Sequence, residues 1–427
     1  MRDSGRGELR RVLDAPTHAT RPAVPPELLA ELQALGCSPS DDMEAGQGTG
    51  NVELQRRGGA GPSDHRAMVV DDTALMVPLG PPRTGARSPF RLRILADGGA
   101  APLPADAFLA GDGGAVPPRP ATRALLLRDG DGDGDGQDEI LAEVSLPTVP
   151  RFYALSTRDG IPYPKIALLH APGVLASTVM QSCVRYNDPA QACGFCAIGT
   201  SIEGGRTIPR KSPAQLAEVA AAAVRLDGVR QLVLTTGTPA TPDRGAAHLA
   251  ACAAAVKAAV PTLPIQAQFE PPEDFGWFAR LKDSGVDALG MHLEAVEPAV
   301  RARVMPGKAT VGVDRYFEAF AAAVEIFGRG QVSSYLIVGL GDRPASVIAM
   351  AERLLAVGVY PFVVPFVPIA GAPMAATTVP PAAEVMQAIY AQVGRLIRRH
   401  GVFSRDMKAG CGKCGACSAL SAYEGAA

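Results

Sequence analysis

Six of the eight cysteines fall into two triplets. Cys183, Cys193 and Cys196 lie in "SCVRYNDPAQACGFCAIGT" (182–200), and Cys411, Cys414 and Cys417 in "AGCGKCGACSAL" (409–420). Cys37 and Cys252 stand alone and read as ordinary small side chains. The N-terminus is polar and Pro-interrupted, without an apolar signal-peptide core, so a cytoplasmic location is expected. Thiols there are reduced, and clustered cysteines favour metals or redox chemistry over structural disulfides. Three thiolates on one loop can hold three irons of a [4Fe–4S] cluster and leave the fourth iron open to a ligand. A structural zinc needs four closed ligands, one of them from a distant His or Cys. Cys193-Gly-Phe-Cys196 also fits a redox dithiol, although that motif opens a helix and this one runs into "AIGTSIEGG". Spacing alone leaves all three readings open.

The second triplet is spaced C-x2-C-x2-C, the start of the ferredoxin-type signature. Gly410, Gly412 and Gly415 permit the tight turns that wrapping a cluster demands. An auxiliary [4Fe–4S] cluster is favoured over a structural zinc, which needs one more ligand such as His400. "RDGDGDGDGQDE" (128–139) superficially suggests a calcium loop, but the twelfth position that requires Glu holds Ile140 or Ala142. It reads as a hairpin turn.

The elements that must position these residues are legible from patterning. A formal charge of −2 gives no reason to expect nucleic acid or an anionic membrane, and no apolar stretch reaches membrane-spanning length. Residues 1–65 are rich in Pro, Gly and charge, a mobile or loosely docked arm apart from a short helix around "PPELLAELQALG". Residues 66–160 hold strand-like runs between Gly/Pro turns, a small β-rich domain. Residues 161–402 alternate apolar strands with amphipathic helices, which indicates parallel βαβ units. The strands are "VLASTVM", "RQLVLTTG", "PIQAQFE", "DALGMHLE", "VSSYLIVGL" and "YPFVVPFVP", and the helices 213–226, 244–259, 272–284, 314–328, 343–357 and 381–400. The expected fold is α/β, a partial (β/α)6 barrel followed by a Cys-rich tail at 403–427, with ligands at the carboxyl ends of the strands. Following the sixth unit's helix, the tail can fold back to that barrel mouth and serve as an electron relay, a substrate ligand or a sulfur source.

The first triplet directly follows strand one. The second strand ends in Thr235, Thr236, Gly237 and Thr238; the fourth places Glu294 at the same rim, and the fifth ends with Gly339 and Gly341, where a ligand can approach the backbone. Each is weak alone, but their order after a cysteine loop is specific.

These residues resemble the radical S-adenosylmethionine (SAM) superfamily, in the branch of biotin synthase and lipoyl synthase. Cys-x-aromatic-Cys matches Cys193-Gly-Phe-Cys196, and "TTGT", "HLEAVEPAVRARVMPG", "SSYLIVGLGD" and "PFVPIAGAP" match further family segments. One departure is the nine residues between Cys183 and Cys193, where the family has three. A longer loop costs little closure entropy. The long loop, N-terminal extension and tail together resemble a radical SAM family encoded in bacterial nitrilase or cyanide-assimilation gene clusters.

The resemblance implies an enzyme with a [4Fe–4S] cluster on Cys183, Cys193 and Cys196 that cleaves SAM and abstracts hydrogen from a small-molecule substrate, fed by an electron donor such as flavodoxin or ferredoxin. It implies that Phe195 lies near the SAM adenine, that Thr236, Gly237, Thr238 and Gly339 line the cofactor, and that Glu294 binds the methionine portion. It assigns the SAM carboxylate to Arg315, with Arg303 as second choice. Glu270 and His292 are then the candidate substrate or catalytic contacts; their plainer roles are a cap for the following helix and a satisfied core imidazole. Sulfur insertion, with a second cluster as donor, and a non-catalytic zinc or iron–sulfur protein are the alternatives.

Overall fold

Residues 24–35, 38–39, 65–70, 73–78, 90–94, 122–128, 139–146 and 149–425 are described by a computed structural model. Within the 1–65 segment, helix α1 (Pro26–Leu35) is not loosely docked. Leu28, Leu29, Ala30 and Leu32 are buried in the main core, and Gln33 accepts hydrogen bonds from the Tyr390 hydroxyl and the Ala419 amide at 3.0 and 3.2 Å. The apolar spacing of "LLAELQAL" gives this helix one buried stripe. Cys37 lies outside the described residues.

The β-rich region forms one sheet from β1 (Ser38–Pro39), β2 (His65–Val70), β3 (Thr73–Pro78), β4 (Phe90–Ile94), β5 (Thr122–Arg128) and β6 (Glu139–Leu146), in the order β1-β4-β5-β6-β2-β3. β5 and β6 are antiparallel neighbours with Arg128 opposite Glu139, the pairing that a hairpin across the Gly/Asp run produces. Most of that run, 129–138, lies outside the described residues. Phe152, Tyr163 and Ile166 are buried in the main core, and the amides of Arg151 and Phe152 donate to Asp227 at 2.8 and 2.9 Å.

The barrel sheet adds β7 (Leu168–Ala171), β8 (Val174–Met180), β9 (Gln231–Thr236), β10 (Ile265–Gln268), β11 (Ala288–Gly290), β12 (Val332–Val338) and β13 (Val359–Pro365). β8 to β13 are parallel in sequence order, β7 pairs antiparallel with β8, and among the described residues β13 has no partner on its far side, so the sheet is an open half-barrel. All six expected strands are present; the seventh, "LLHA", is too short and too polar to announce itself.

Helices α2 (Thr200–Glu203), α3 (Pro213–Asp227), α4 (Ala246–Ala259), α5 (Gly276–Asp283), α6 (Pro298–Val304), α7 (Pro306–Ala309), α8 (Val313–Phe327), α9 (Pro344–Ala356), α10 (Ala383–His400) and α11 (Cys411–Cys414) complete the unit. α3 starts at a full capping box, Ser212 with Gln215, and ends on left-handed Gly228. α5 begins four residues later than expected, because Pro271 and Pro272 hold the preceding chain extended.

The tail corrects an expectation. It crosses the amino ends of the strands, opposite the mouth. The Gly410 amide donates to Gln231 at 2.7 Å, the Cys411 amide to Gln266 at 3.1 Å, and the Lys408 amide to Gln331 at 2.9 Å. Ala416 packs with Ala171, Val174 and Val233. Glu424 pins its end, accepting from the Tyr360 hydroxyl at 2.7 Å and the Ser404 hydroxyl at 2.8 Å. The buried polar residues Gln231, Gln266 and Gln331 thus find their partners in this segment, which is the floor of the half-barrel.

Candidate active site and a second cysteine site

At the carboxyl rim, the loop after β8 is sewn to three neighbouring elements. The Val184 amide donates to Thr238 and the Gly237 amide to Met180, both at 2.8 Å. The Gly194 amide donates to Val304 at 2.7 Å, and its carbonyl accepts from the Met374 amide at 2.8 Å. The backbones are close enough that a Cβ on Gly237 would stand 2.1 Å from the Ser182 carbonyl oxygen, and one on Gly194 2.7 Å from Met374. This fixes the Cys193–Cys196 turn, while Phe195 packs on the apolar cluster of Val304, Leu340 and Phe366. The additional residues between Cys183 and Cys193 fold into a turn around Asp188, whose carboxylate accepts from the Ala190 amide and the Gln191 side chain at 2.9 and 2.8 Å. Within this insertion Arg185 turns inward to pair with Glu270.

Glu270 also accepts from the Thr238 hydroxyl at 2.8 Å. It is therefore no helix cap. Burial raises its carboxyl, but Lys308, Arg185 and Thr238 outweigh that and hold it below the ordinary value. Glu294 adopts a left-handed backbone, φ 64°, fixed by two hydrogen bonds with β12: its amide to Tyr335 and the Ile337 amide to its carbonyl, each 2.8 Å. Such a conformation in a non-glycine residue is costly and marks a site where a side chain is being aimed. Here it brings the Glu294 carboxylate to Lys308 Nζ at 2.8 Å, with both side chains largely buried. Burial would lower the Lys308 amine, yet Glu294, Tyr316, Glu270 and Cys193 around it hold it above its ordinary value.

Three buried polar atoms around this cation have no partner among the described residues: Glu270 Oε2, His292 Nε2 and the Tyr316 hydroxyl. Burial, then the charge of Lys308, lowers His292 to about 3, so its ring is neutral. Its Nδ1 accepts from the Tyr335 amide at 3.3 Å, so the imidazole is half-satisfied rather than fully satisfied. Unpaired buried polar groups are expensive, and three converging on one charge leave room for a polar ligand.

Burial pushes the Cys193 thiol up to about 12, with Glu294 adding to the shift and Lys308 opposing it. Burial raises Cys196 as well, and Glu294 and Cys183 act on it in the same direction. Buried thiols of this kind are inert until a metal cation takes them as thiolates. Among the described residues no three His, Cys, Asp or Glu side chains are gathered about one point as a single ion requires. An iron–sulfur cluster makes no such demand, since each iron takes its own thiolate. Soft, buried donors beside a cation and unpaired acceptors fit a cluster with a polar ligand alongside.

The structure does not bring Arg315 to this site. Its guanidinium spans to the Glu273 and Pro272 carbonyls at 2.8 and 3.2 Å, pairs with Glu318 at 2.9 Å and lies 4.0 Å over the Phe275 ring. Arg303 instead donates to the Leu340 carbonyl at 3.1 Å, between Gly339 (φ 105°) and Gly341 (φ 119°). Arg185 and Lys308 are buried cations at the rim that sequence reasoning missed. The available signals were a basic residue inside the oversized loop and the Lys directly after "MPG". Thr236 turns its hydroxyl onto the Gly237 carbonyl at 2.8 Å.

At the floor, Cys411 Sγ receives a hydrogen bond from Gln268 Nε2 at 3.0 Å and interacts with the Tyr335 hydroxyl. Burial raises all three tail thiols. His400, at the end of α10, has an unpartnered Nε2 among the described residues, but the imidazole beside the tail is His170, whose Nε2 is 3.5 Å from Cys417 Sγ.

Residues 184–354 match the family model of the Radical SAM superfamily. A lipoyl synthase of Marinobacter nauticus is 30% identical over 172 residues, 40% of this chain and 47% of that protein. The bacteriochlorophyllide c C-7(1)-hydroxylase of Chlorobaculum limnaeum is 34% identical over 114 residues, 26% of this chain and 28% of that protein. The chain thus spans less than half the length of these curated relatives. Among solved structures, methylornithine synthase covers 62% of this chain and 79% of its own at a TM-score of 0.41 and 15% identity. The FeFe-hydrogenase maturase HydG from Carboxydothermus hydrogenoformans covers 53% and 50% at a TM-score of 0.39 and 19% identity. The match of residues 184–354 is to a Radical SAM superfamily domain. No helix among the described residues is long and apolar enough to cross a membrane.

Proposed function

We propose that the protein is a radical SAM enzyme acting on a small polar molecule. Its rim cluster is held by Cys183, Cys193 and Cys196 and is reduced by a donor such as flavodoxin or ferredoxin. The observation that carries this reading is the cysteine loop sewn to the carboxyl rim of a half-barrel, beside a buried Glu294–Lys308 pair with unpaired acceptors around it. A cluster bound there would supply the electron for reductive cleavage of SAM, the chemistry that ends in hydrogen abstraction from the substrate.

The chain's own residues bind, orient and exclude water. Glu294 accepts from the methionine amino group or ribose, and Lys308, already charged, balances a carboxylate. The rim segment from Thr236 to Thr238 and Gly339 are assigned to the edge of the cofactor. Phe195 offers an apolar face to the adenine. Arg185 and Thr238 keep Glu270 ionised with one free oxygen, and His292 and Tyr316 add a neutral imidazole and a hydroxyl, so the substrate meets acceptors and donors together. The tail triplet is assigned a second iron–sulfur cluster.

The test is anaerobic reconstitution of the full chain, expected to give a reduced-cluster EPR signal that shifts on adding SAM, together with 5′-deoxyadenosine. Cys183→Ala, Cys193→Ala and Cys196→Ala should each abolish both. Full iron content and SAM cleavage in Cys183→Ala would overturn its ligand role, and absence of both signals in the wild type would leave a non-catalytic metal protein. Sulfur insertion is the second reading, favoured by the likeness to lipoyl synthases and by the tail thiols; it requires sulfur in the product.

A further inference from the structure

The strand β7 carries a feature with no role in the fold. Its pairing with β8 runs Leu169 opposite Leu175 and then Ala171 opposite Val174, which leaves His170 as the extra residue of a β-bulge. Bulges re-aim side chains and collect beside functional sites. This one turns the imidazole to the floor, where Nε2 stands 3.5 Å from Cys417 Sγ. On either side of His170 the strand end is occupied by the same segment: Ala171 and Val174 pack with Ala416, and Cys411 and Cys414 lie against that cluster. The imidazole thus stands beside Cys417, while Cys411 and Cys414 border the same apolar cluster at the strand end.

The environment of Cys411 indicates what state its sulfur is built for. A neutral thiol is a weak acceptor, yet Gln268 Nε2 is aimed at it at 3.0 Å. Gln268 is held in turn by its bond to Gln266 at 2.7 Å, and Gln266 accepts the Cys411 amide. Donors fixed in this way suit a metal-bound sulfur and tune it. The α11 turn closes with the Cys414 amide on Gly410 and the Gly415 amide on Cys411, both at 2.8 Å, wrapping the chain around its thiols.

We infer that His170 is the fourth ligand of the floor site, closing a Cys3His set that holds a four-iron cluster. This rests on the second-cluster reading proposed above. Zinc is the competing occupant of Cys3His. The C-x2-C-x2-C run of the tail, the start of the ferredoxin-type signature, favours the cluster, which distributes one protein ligand to each iron. A cluster closed by His170 offers no open iron to a substrate, in contrast to the rim. Its role is electron transfer or holding the floor in place.

The experiment uses full-length protein carrying Cys183→Ala, Cys193→Ala and Cys196→Ala, reconstituted anaerobically with iron and sulfide, so that iron binds only at the floor. After reduction, pulsed EPR should show a strongly coupled nitrogen that changes isotope on 15N-histidine labelling and disappears in His170→Ala. His170→Cys should keep about four irons per chain, lose the nitrogen coupling and lower the reduction potential, since thiolate ligation lies below imidazole. The same loss of coupling in His170→Ala is expected with the rim cysteines intact, which guards against misfolding of the triple variant. Iron at the floor without coupled nitrogen would overturn the role of His170 alone. Zinc, or no metal at all, would overturn the second-cluster reading beneath it.

Discussion

Lys308→Met tests the electrostatics of the rim most directly. Lys308 Nζ lies 2.8 Å from Glu294, and the two side chains are 10% and 15% exposed. Glu270 keeps Arg185 and Thr238 as its own partners, so the loss falls on Glu294. Removing one member of a buried pair costs about 3–5 kcal/mol, because the remaining charge is stranded, whereas neutralising both members is far cheaper. For a barrel of this size about 2 °C of melting temperature follows each kcal/mol, so the single variant should melt roughly 6–10 °C below wild type. Lys308→Met/Glu294→Gln should recover at least half of that. Circular dichroism melts of the metal-free full-length chain read both, independently of any cofactor. If Lys308→Met melts within about 1 °C of wild type, or if the double variant merely sums the two singles, the pair does not act as a buried unit and the argument fails.

Two further outcomes are expected. In Gly237→Ala the new Cβ meets the Ser182 carbonyl oxygen at 2.1 Å, so the loop must shift; a destabilisation of about 1–3 kcal/mol and reduced iron at the rim are expected, and unchanged iron and melting would refute the tight seam. Arg315→Ala should leave iron content and calorimetric SAM affinity unchanged, and a tenfold loss of affinity would return Arg315 to the site.

What the sequence reveals here depends on the range of the cause. The six parallel strands are continuous apolar runs set by burial on both faces, so they are legible from "VLASTVM" to "YPFVVPFVP". Glu294 and Glu270 are legible as strand-end carboxylates. Their partners are not, because Lys308 arrives through two short helices, α6 and α7, that interrupt the βα rhythm, and Arg185 through a turn organised by Asp188. Arg315 fails for the same reason. Its place in "VDRYFEAF" says that it begins a helix, but not that the helix turns it toward the Glu273 carbonyl. The floor is a long-range arrangement: Gln231, Gln266 and Gln331 read as polar flaws in apolar strands until the tail supplies their partners. His170 is hidden because its orientation depends on a one-residue slip in pairing.

The floor also sets an order of assembly. Cys411 leaves the ribosome roughly two hundred residues after Cys196, a delay of roughly 10–40 s at about 5–20 residues per second. During that interval the strands can pair and the rim loop can be sewn to Gly237 and Val304, while the interior stays open from below at Gln266, Gln268 and Tyr335. Iron delivered early meets only the rim thiols. Once residues 404–424 dock, with Glu424 on Tyr360 and Ser404, the amino ends of the strands are covered. The two thiol triplets, alike in composition, are thereby separated in time as well as in space.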